Sequence, residues 1–180
     1  TVRNLMGMPL EELRMDDCTR IEDLRPLRGL PLKTLSMDGV AVADLSPLTD
    51  LPLEFLNASG CTQVRDWSPV RSLKQLTELR IRGCGWTDLS LLSGMSLQRL
   101  DVSYNRELSN LGPLRGMKLV SLQAAHTQVA DLSPLAGMPL ERLVLSRCPV
   151  TDLSPLAELP LTYLDLSGCE NVRDPSPLSR

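Results

Sequence analysis

Histidine occurs once in this chain, at His126, and the aromatic side chains are Phe55, Trp67, Trp86, Tyr104 and Tyr163 alone. A single imidazole excludes every site that needs two, whether a metal centre or a paired acid–base device. No two cysteines are spaced C-x-x-C, so the usual redox and zinc signatures are missing. Glycine is scattered singly and builds no phosphate-cradling loop. No apolar run approaches the ~20 residues of a membrane-spanning helix. The formal charge of −3 at pH 7 leaves no basic excess for nucleic acid. These shortages argue against an enzyme and against any cofactor.

The chain is rich in repetition instead. Asp44-Leu45-Ser46-Pro47-Leu48 returns as Asp131-Leu132-Ser133-Pro134-Leu135 and Asp152-Leu153-Ser154-Pro155-Leu156, with looser copies between. A leucine opens each copy, at Leu10, Leu32, Leu53, Leu76, Leu97, Leu119, Leu140 and Leu161, and the intervals are 22, 21, 23, 21, 22, 21 and 21 residues. From each runs L-x-x-L-x-(apolar)-x-x-C/N/T/V, as in Leu140 to Cys148; the fifth copy ends on Asn105. A fixed period of this length marks stacked repeats and is read before any other feature. The pattern resembles the leucine-rich repeat family over essentially the whole chain. Its D-L-S-P-L half is similar to the short repeats of bacterial internalins and of leucine-rich tracts in larger bacterial proteins.

The alternation in Leu143-Val144-Leu145 puts two leucines on one face and Val144 on the other, the period of a half-buried strand. Strands that recur in one direction are parallel, and each needs a crossover, right-handed in nearly all proteins. A copy of about 21 residues leaves too little chain for a long helix on the return leg. Ser-Pro suits one helical turn, with serine at the cap and proline at the first helical position. The expected fold is therefore an α/β leucine-rich repeat: one right-handed solenoid over 1–180, with a parallel sheet on its concave face and 3₁₀ turns on its convex face.

The prolines fit this scheme. Pro26, Pro47, Pro69, Pro113, Pro134, Pro155 and Pro177 fall in the convex turn; Pro9, Pro31, Pro52, Pro139 and Pro160 precede strands, where a missing N–H is tolerated. Pro149 and Pro175 are left over, and Pro175 stands in a degrading last copy. Leu10, Leu13, Met15, Ile21, Leu24, Leu27 and Leu30 compose the first core layer, and later copies supply equivalents. Trp67 and Trp86 take core slots. Asn4 to Pro9 and Pro177 to Arg180 read as partial copies, which points to a segment of a longer protein.

Cys18, Cys61, Cys84, Cys148 and Cys169 share one repeat position at the end of the strand. The expectation is a ladder of buried free thiols, although strand spacing does not forbid a bridge between adjacent rungs. Reduced thiols favour a cytoplasmic setting, with a secreted or surface setting as the alternative. Asp23, Asp44, Asp66, Asp88, Asp131, Asp152 and Asp174 form a second column, with Asn110 in the remaining copy. Stacked carboxylates could hold Ca²⁺, but the expected role is to accept backbone N–H groups ahead of each turn.

What the scaffold leaves free lies in the outward strand columns. The first is Glu12, Thr34, Phe55, Glu78, Arg99, Ser121, Arg142, Tyr163; the second is Arg14, Ser36, Asn57, Arg80, Asp101, Gln123, Val144, Asp165. The third is Asp16, Asp38, Ser59, Arg82, Ser103, Ala125, Ser146, Ser167, followed by Asp17, Gly39, Gly60, Gly83, Tyr104, His126, Arg147, Gly168. The early copies are acidic, while Arg80, Arg82, Arg99, Arg142 and Arg147 mark the middle and later ones. Tyrosine and arginine are enriched in binding hot spots, and Tyr104, His126 and Arg147 would form a row at about 5 Å spacing. Phe55 is a second, isolated candidate, expected to be exposed, and Tyr163 completes the set. The resemblance implies a non-catalytic module that binds a protein or peptide through its concave sheet. The alternatives are a structural or regulatory arm of a larger bacterial protein such as a kinase, or a secreted adhesin-like surface. Asn57-Ala58-Ser59 matches a glycosylation sequon.

Overall fold

The computed structural model describes residues 5–178; Asn4, Ser179 and Arg180, counted above in the partial copies, lie outside them. The chain divides into two compact units, Thr1–Cys84 and Gly85–Arg180. The first carries β1 (Glu12–Arg14), β2 (Thr34–Ser36), β3 (Phe55–Asn57) and β4 (Glu78–Arg80), and the second carries β5 (Arg99–Asp101), β6 (Ser121–Gln123), β7 (Arg142–Val144) and β8 (Tyr163–Asp165). Within each unit the strands are parallel and follow chain order.

Leucine sets the register. Leu13, Leu35, Leu56 and Leu79 pair in the first unit, and Leu100, Leu122, Leu143 and Leu164 in the second. A slip of one residue would turn these leucines to solvent, so the central position of each three-residue strand pins the alignment. Leu35, Leu56, Leu79, Leu122 and Leu143 have no exposed surface. The ladder continues past the strands: Met15 N–H donates to Ser36 O at 2.8 Å, and Ala124 N–H to Val144 O at 2.9 Å.

The core layers are fullest in the interior copies. In the outermost described copies Leu10, Leu13, Ile21, Leu161, Leu164 and Leu166 are only half-buried, because a layer is fully shielded only with a neighbour on both sides. Trp86 is buried as expected, whereas Trp67 is half-buried. Trp67 exceeds the leucine it replaces in size and cannot be withdrawn as completely.

Each return leg holds the expected 3₁₀ turn, at Arg25–Leu27, Ser46–Leu48 and Ser68–Ser72 in the first unit, then Ser90–Leu92, Gly112–Leu114, Ser133–Leu135, Ser154–Leu156 and Ser176–Leu178 in the second. Leu48 N–H donates to Leu45 O at 2.9 Å, the i→i+3 bond that defines such a turn. Serine is not the cap: Leu45 is, with Ser46 the first turn residue and proline the second. Proline lacks an N–H at either position, so the shift costs no hydrogen bond, and Ser46 N–H is free to meet Asp44.

The exit from most of these turns follows one residue choice. Where glycine comes next, as at Gly137 with φ 73°, the preceding Ala136 takes φ −54°, ψ 131°. That is the type II combination, which requires positive φ at its second central residue. Asp50 and Glu158 replace this glycine, and there the preceding Thr49 and Ala157 move to the α region, with ψ −40° and −36°. In these two copies one backbone torsion absorbs the loss of glycine, whereas at Ser72, in the same place, the turn extends over Ser68–Ser72 within the 23-residue interval. No helix among the described residues is long and apolar enough to cross a membrane.

Candidate interaction surface

The aspartate column belongs to the scaffold. Asp44 Oδ1 accepts Ser46 N–H at 2.8 Å, and Asp66, Asp88, Asp131, Asp152 and Asp174 accept the equivalent bond at 2.8–3.0 Å. Asn110 Oδ1 does the same with Gly112 at 2.7 Å, and Asp23 with Arg25 at 2.9 Å. A neutral amide in one copy shows that the role needs an acceptor oxygen rather than a charge. Backbone and hydroxyl donation from the serine two residues on holds the Asp44, Asp66, Asp131 and Asp152 carboxyls below the ordinary range. Among the described residues no three His, Cys, Asp or Glu side chains are gathered as metal ligands would be.

The thiol column is likewise inward, with one exception. Cys61, Cys148 and Cys169 are buried and Cys84 is half-buried, but Cys18 is exposed. Cys61 Sγ donates to Met37 O, Cys84 Sγ to Ala58 O, Cys148 Sγ to Ala124 O and Cys169 Sγ to Leu145 O, at 3.0–3.2 Å. Each thiol reaches a carbonyl of the preceding copy. No strand precedes β1 among the described residues, so Cys18 has no such carbonyl to cover it. Thr127 and Asn105 fill the same slot with bonds to Ala124 O and Val102 O. Burial pushes the Cys61 thiol up to about 11 and Cys84 up to about 12, so both stay protonated and unreactive at neutral pH. Thiols protected by burial and protonation are slow to react, so they do not favour a cytoplasmic setting over a secreted or surface one.

The outward columns are more closed than alternation alone suggests. Ser36, Ser59, Asp101, Ser103, Ala125 and Val144 are all buried, with 3–8% of their surface exposed. In parallel strands the long side chains of adjacent copies lie across the short ones and shield them. Asp101 is further fixed by Ser103 N–H, which donates to its Oδ1 at 3.0 Å. Asn57 is half-buried with its Oδ1 taken by Ser59 N–H at 3.1 Å, a poor setting for glycan attachment.

In the first unit Phe55 is half-buried rather than exposed, because the Arg80 guanidinium lies 5.1 Å from its ring centroid. Arg80 also pairs with Glu78 at 2.6 Å. Arg82 is exposed. The acidic residues of the early copies bind one another's backbone: Asp16 Oδ1 accepts Asp38 N–H at 2.8 Å and the Ser36 hydroxyl at 2.6 Å.

The second unit brings most of the remaining candidates together. Tyr104 and His126 stack with ring centroids 4.5 Å apart and planes inclined by 14°. Arg147 follows them on the next copy and is exposed. In the first outward column, Arg142 places its guanidinium 3.7 Å from the Tyr163 ring centroid, and Arg99 is exposed two copies earlier. Between the columns lies a floor of small side chains, Ser103, Ala125 and Val144, which are buried, and Ser146, which is half-buried. Asp165 is the acidic residue at the edge of this floor. Hydrogen bonds from Ser167 hold its carboxyl below the ordinary range, with lesser help from Ser146 and the Arg142 charge.

Backbone conformation separates this row from the rest. Tyr104, His126 and Arg147 have φ of 63°, 56° and 59°, the left-handed region that glycine occupies in the same column at Gly39, Gly60, Gly83 and Gly168. Asp17, with φ 58°, is the other exception, and aspartate, like histidine at His126, enters this region more readily than most side chains, so the strain is greatest at Tyr104 and Arg147. The cause is the ladder: Tyr104 N–H donates to Ala125 O at 2.8 Å, His126 to Ser146 O at 2.9 Å, and Arg147 to Ser167 O at 2.8 Å. Gly60 N–H makes the same bond to Arg82 O at 2.8 Å. The conformation is imposed by the backbone and is met at no cost by glycine, whereas an L side chain is disfavoured there by about 1–2 kcal/mol. A Cβ at Gly168 would meet Arg147 Cγ at 3.0 Å, so the row ends where Arg147 fills the space. The sequence carried a signal for this in the four glycines of the column, a residue prized for positive φ.

No protein-family model matches the chain, and no curated protein matches it. Solved structures do. It is similar to internalin C2 of Listeria monocytogenes, at 29% identity and a TM-score of 0.79, over 97% of this chain and 74% of that one. It is also similar to the internalin InlF of the same organism, at 25% identity and a TM-score of 0.68, over 88% of this chain and 54% of that one. The chain thus spans about three quarters of the first and about half of the second.

Proposed function

The chain is a leucine-rich repeat protein of the short, internalin-like form, and from that premise we propose that it is a non-catalytic module that binds a protein or peptide. The binding surface is the strand face of the second unit, the face that the family resemblance makes concave. Tyr104, His126 and Arg147 form one side of it, and Arg99, Arg142 and Tyr163 the other. Phe55, Arg80 and Arg82 belong to the first unit and have a lesser part, since Arg80 is spent on Phe55 and Glu78.

One observation carries this reading. Three consecutive copies place large side chains in left-handed backbone where the scaffold accepts glycine. Strain kept at exposed positions is a recurrent mark of functional surfaces. The Tyr104–His126 stack offsets part of that cost, yet Tyr104 and Arg147 remain exposed, which supports a role outside the fold.

The test is a paired measurement on Tyr104→Gly and Arg147→Gly, each against the parent chain. Captured partner is quantified from the source organism's extract, and thermal stability is measured in parallel. Loss of capture with unchanged or raised stability supports the reading. Capture that survives both substitutions removes the strand face of the second unit from consideration.

A further inference from the structure

The partner's chemistry is written in the charges of the same surface. The chain as a whole is acidic, at −3, yet the charged residues in the outward columns of the second unit are Arg99, Arg142, Arg147, Asp101 and Asp165. Asp101 is buried and bonded to Ser103 N–H, and Asp165 is half-buried and accepts Ser167 N–H at 2.8 Å. Three arginines against two carboxylates leave this face at a formal +1, with all three guanidinium groups on exposed residues, on a molecule that is negative as a whole. Every cation is arginine, since the lysines fall at Lys33, Lys74 and Lys118, off this face. The guanidinium fork matches a carboxylate with two parallel hydrogen bonds and stacks on aromatic rings, as Arg142 does on Tyr163. That stacking holds the plane of Arg142 in place before any ligand arrives, which lowers the ordering cost of binding.

Arg142 and Arg147 lie on one copy, on opposite sides of Val144 and Ser146. Among the described residues no carboxylate forms an ion pair with Arg147. The floor between them is built of short side chains, half apolar and half hydroxyl, so it suits the backbone of a peptide rather than a bulky side chain. Resting on the reading that this face is the binding surface, we propose that its occupant is an acidic protein segment. Carboxylates of the segment engage Arg142 and Arg147 from above the Ala125–Val144–Ser146 floor. Its intervening side chains pack on the exposed faces of the Tyr104–His126 stack.

The experiment uses the full chain and two labelled peptides of equal length, one alternating glutamate with tyrosine and one alternating lysine with tyrosine, with inorganic phosphate as a competitor. The expected result is saturable binding of the acidic peptide alone. Charge reversal in Arg142→Glu and Arg147→Glu should each weaken it by about tenfold or more. Arg142→Lys should lose part of that affinity, because charge is kept but the fork and the stack are not. Equal binding of both peptides, no saturable binding of the acidic one, or its complete displacement by phosphate at matched charge would each overturn the proposal. The partner captured by the parent chain separates the two readings. If Tyr104→Gly and Arg147→Gly abolish capture but excess acidic peptide does not compete, the surface stands and its acidic occupant falls. If none of these affects capture, both fall.

Discussion

Arg147 exemplifies a side chain held against its own backbone preference. Its left-handed conformation is disfavoured by about 1–2 kcal/mol relative to a glycine there, while glycine gives back roughly 0.4–1 kcal/mol through a freer unfolded chain. Arg147→Gly is therefore expected to leave stability unchanged or raise it by up to about 1.6 kcal/mol, read from urea denaturation midpoints. Tyr104→Gly and His126→Gly also remove the ring stack, worth about 0.5–1.5 kcal/mol, so their gain is smaller or absent. A marked loss of stability in Arg147→Gly would mean that the arginine serves the fold.

The capping aspartates have the opposite character. Hydrogen bonds from Ser154 lower the Asp152 pKa, so its contribution is fully present above the ordinary aspartate value near ~3.9 and is lost as pH falls through the lower folded value. Asp152→Ala should lower the denaturation midpoint at neutral pH. Asp152→Asn should retain most of it, as Asn110 does in its own copy, and should flatten the fall in stability below about pH 4. If alanine and asparagine behave alike, the acceptor oxygen is not what holds the turn.

Whole elements were legible to the degree that they repeat. The strand positions, the 3₁₀ turns and the capping oxygens recur once per copy, so each copy repeats the signal of the others. What escaped is what varies or what depends on neighbours. Asp101 and Ser36 are buried, and Ser36 is bonded to Asp16 and Asn57 on the neighbouring copies, contacts that alternation along one strand does not encode. Cys18 shares its column with buried thiols and differs only in having no preceding strand among the described residues. The candidate row is legible from its residue types, but its strain is not, because a column that mixes glycine with larger residues does not by itself state the backbone conformation that all of them share. The switch between turn types at Thr49 and Ala157 is not legible either, since the replacement of glycine by Asp50 and Glu158 changes the torsion of the residue before it. A test at this scale follows from the switch. Gly137→Asp should be tolerated better than Gly137→Val, because aspartate suits the second central position of a type I turn and valine resists both forms. Valine forced into positive φ is expected to cost at least about 1 kcal/mol by denaturation; equal losses for the two variants would contradict the switch.

Across the molecule, a stack in which each layer touches only its neighbours should transmit damage over short distances. The cysteines provide a way to observe this, because Cys61 and Cys84 report on the first unit and Cys148 and Cys169 on the second. In the native chain a thiol reagent should modify Cys18 rapidly and the others slowly, since burial holds Cys61 and Cys84 protonated and hydrogen bonds fix all four inward thiols. Leu143 has no exposed surface, and Leu143→Ala should cost about 2–5 kcal/mol through lost burial and the cavity left behind. Its two strand neighbours are Leu122 and Leu164, and Cys148 and Cys169 donate their thiols to Ala124 O and Leu145 O beside the same layer. Labelling of Cys148 and Cys169, followed by mass spectrometry, should therefore accelerate in this variant by much more than labelling of Cys61 and Cys84. Equal acceleration at all four would show a cooperativity that nearest-neighbour stacking does not supply. Local opening also bears on binding: Arg142 and Val144 flank Leu143, so the variant should lose affinity for the acidic peptide even where the chain remains folded.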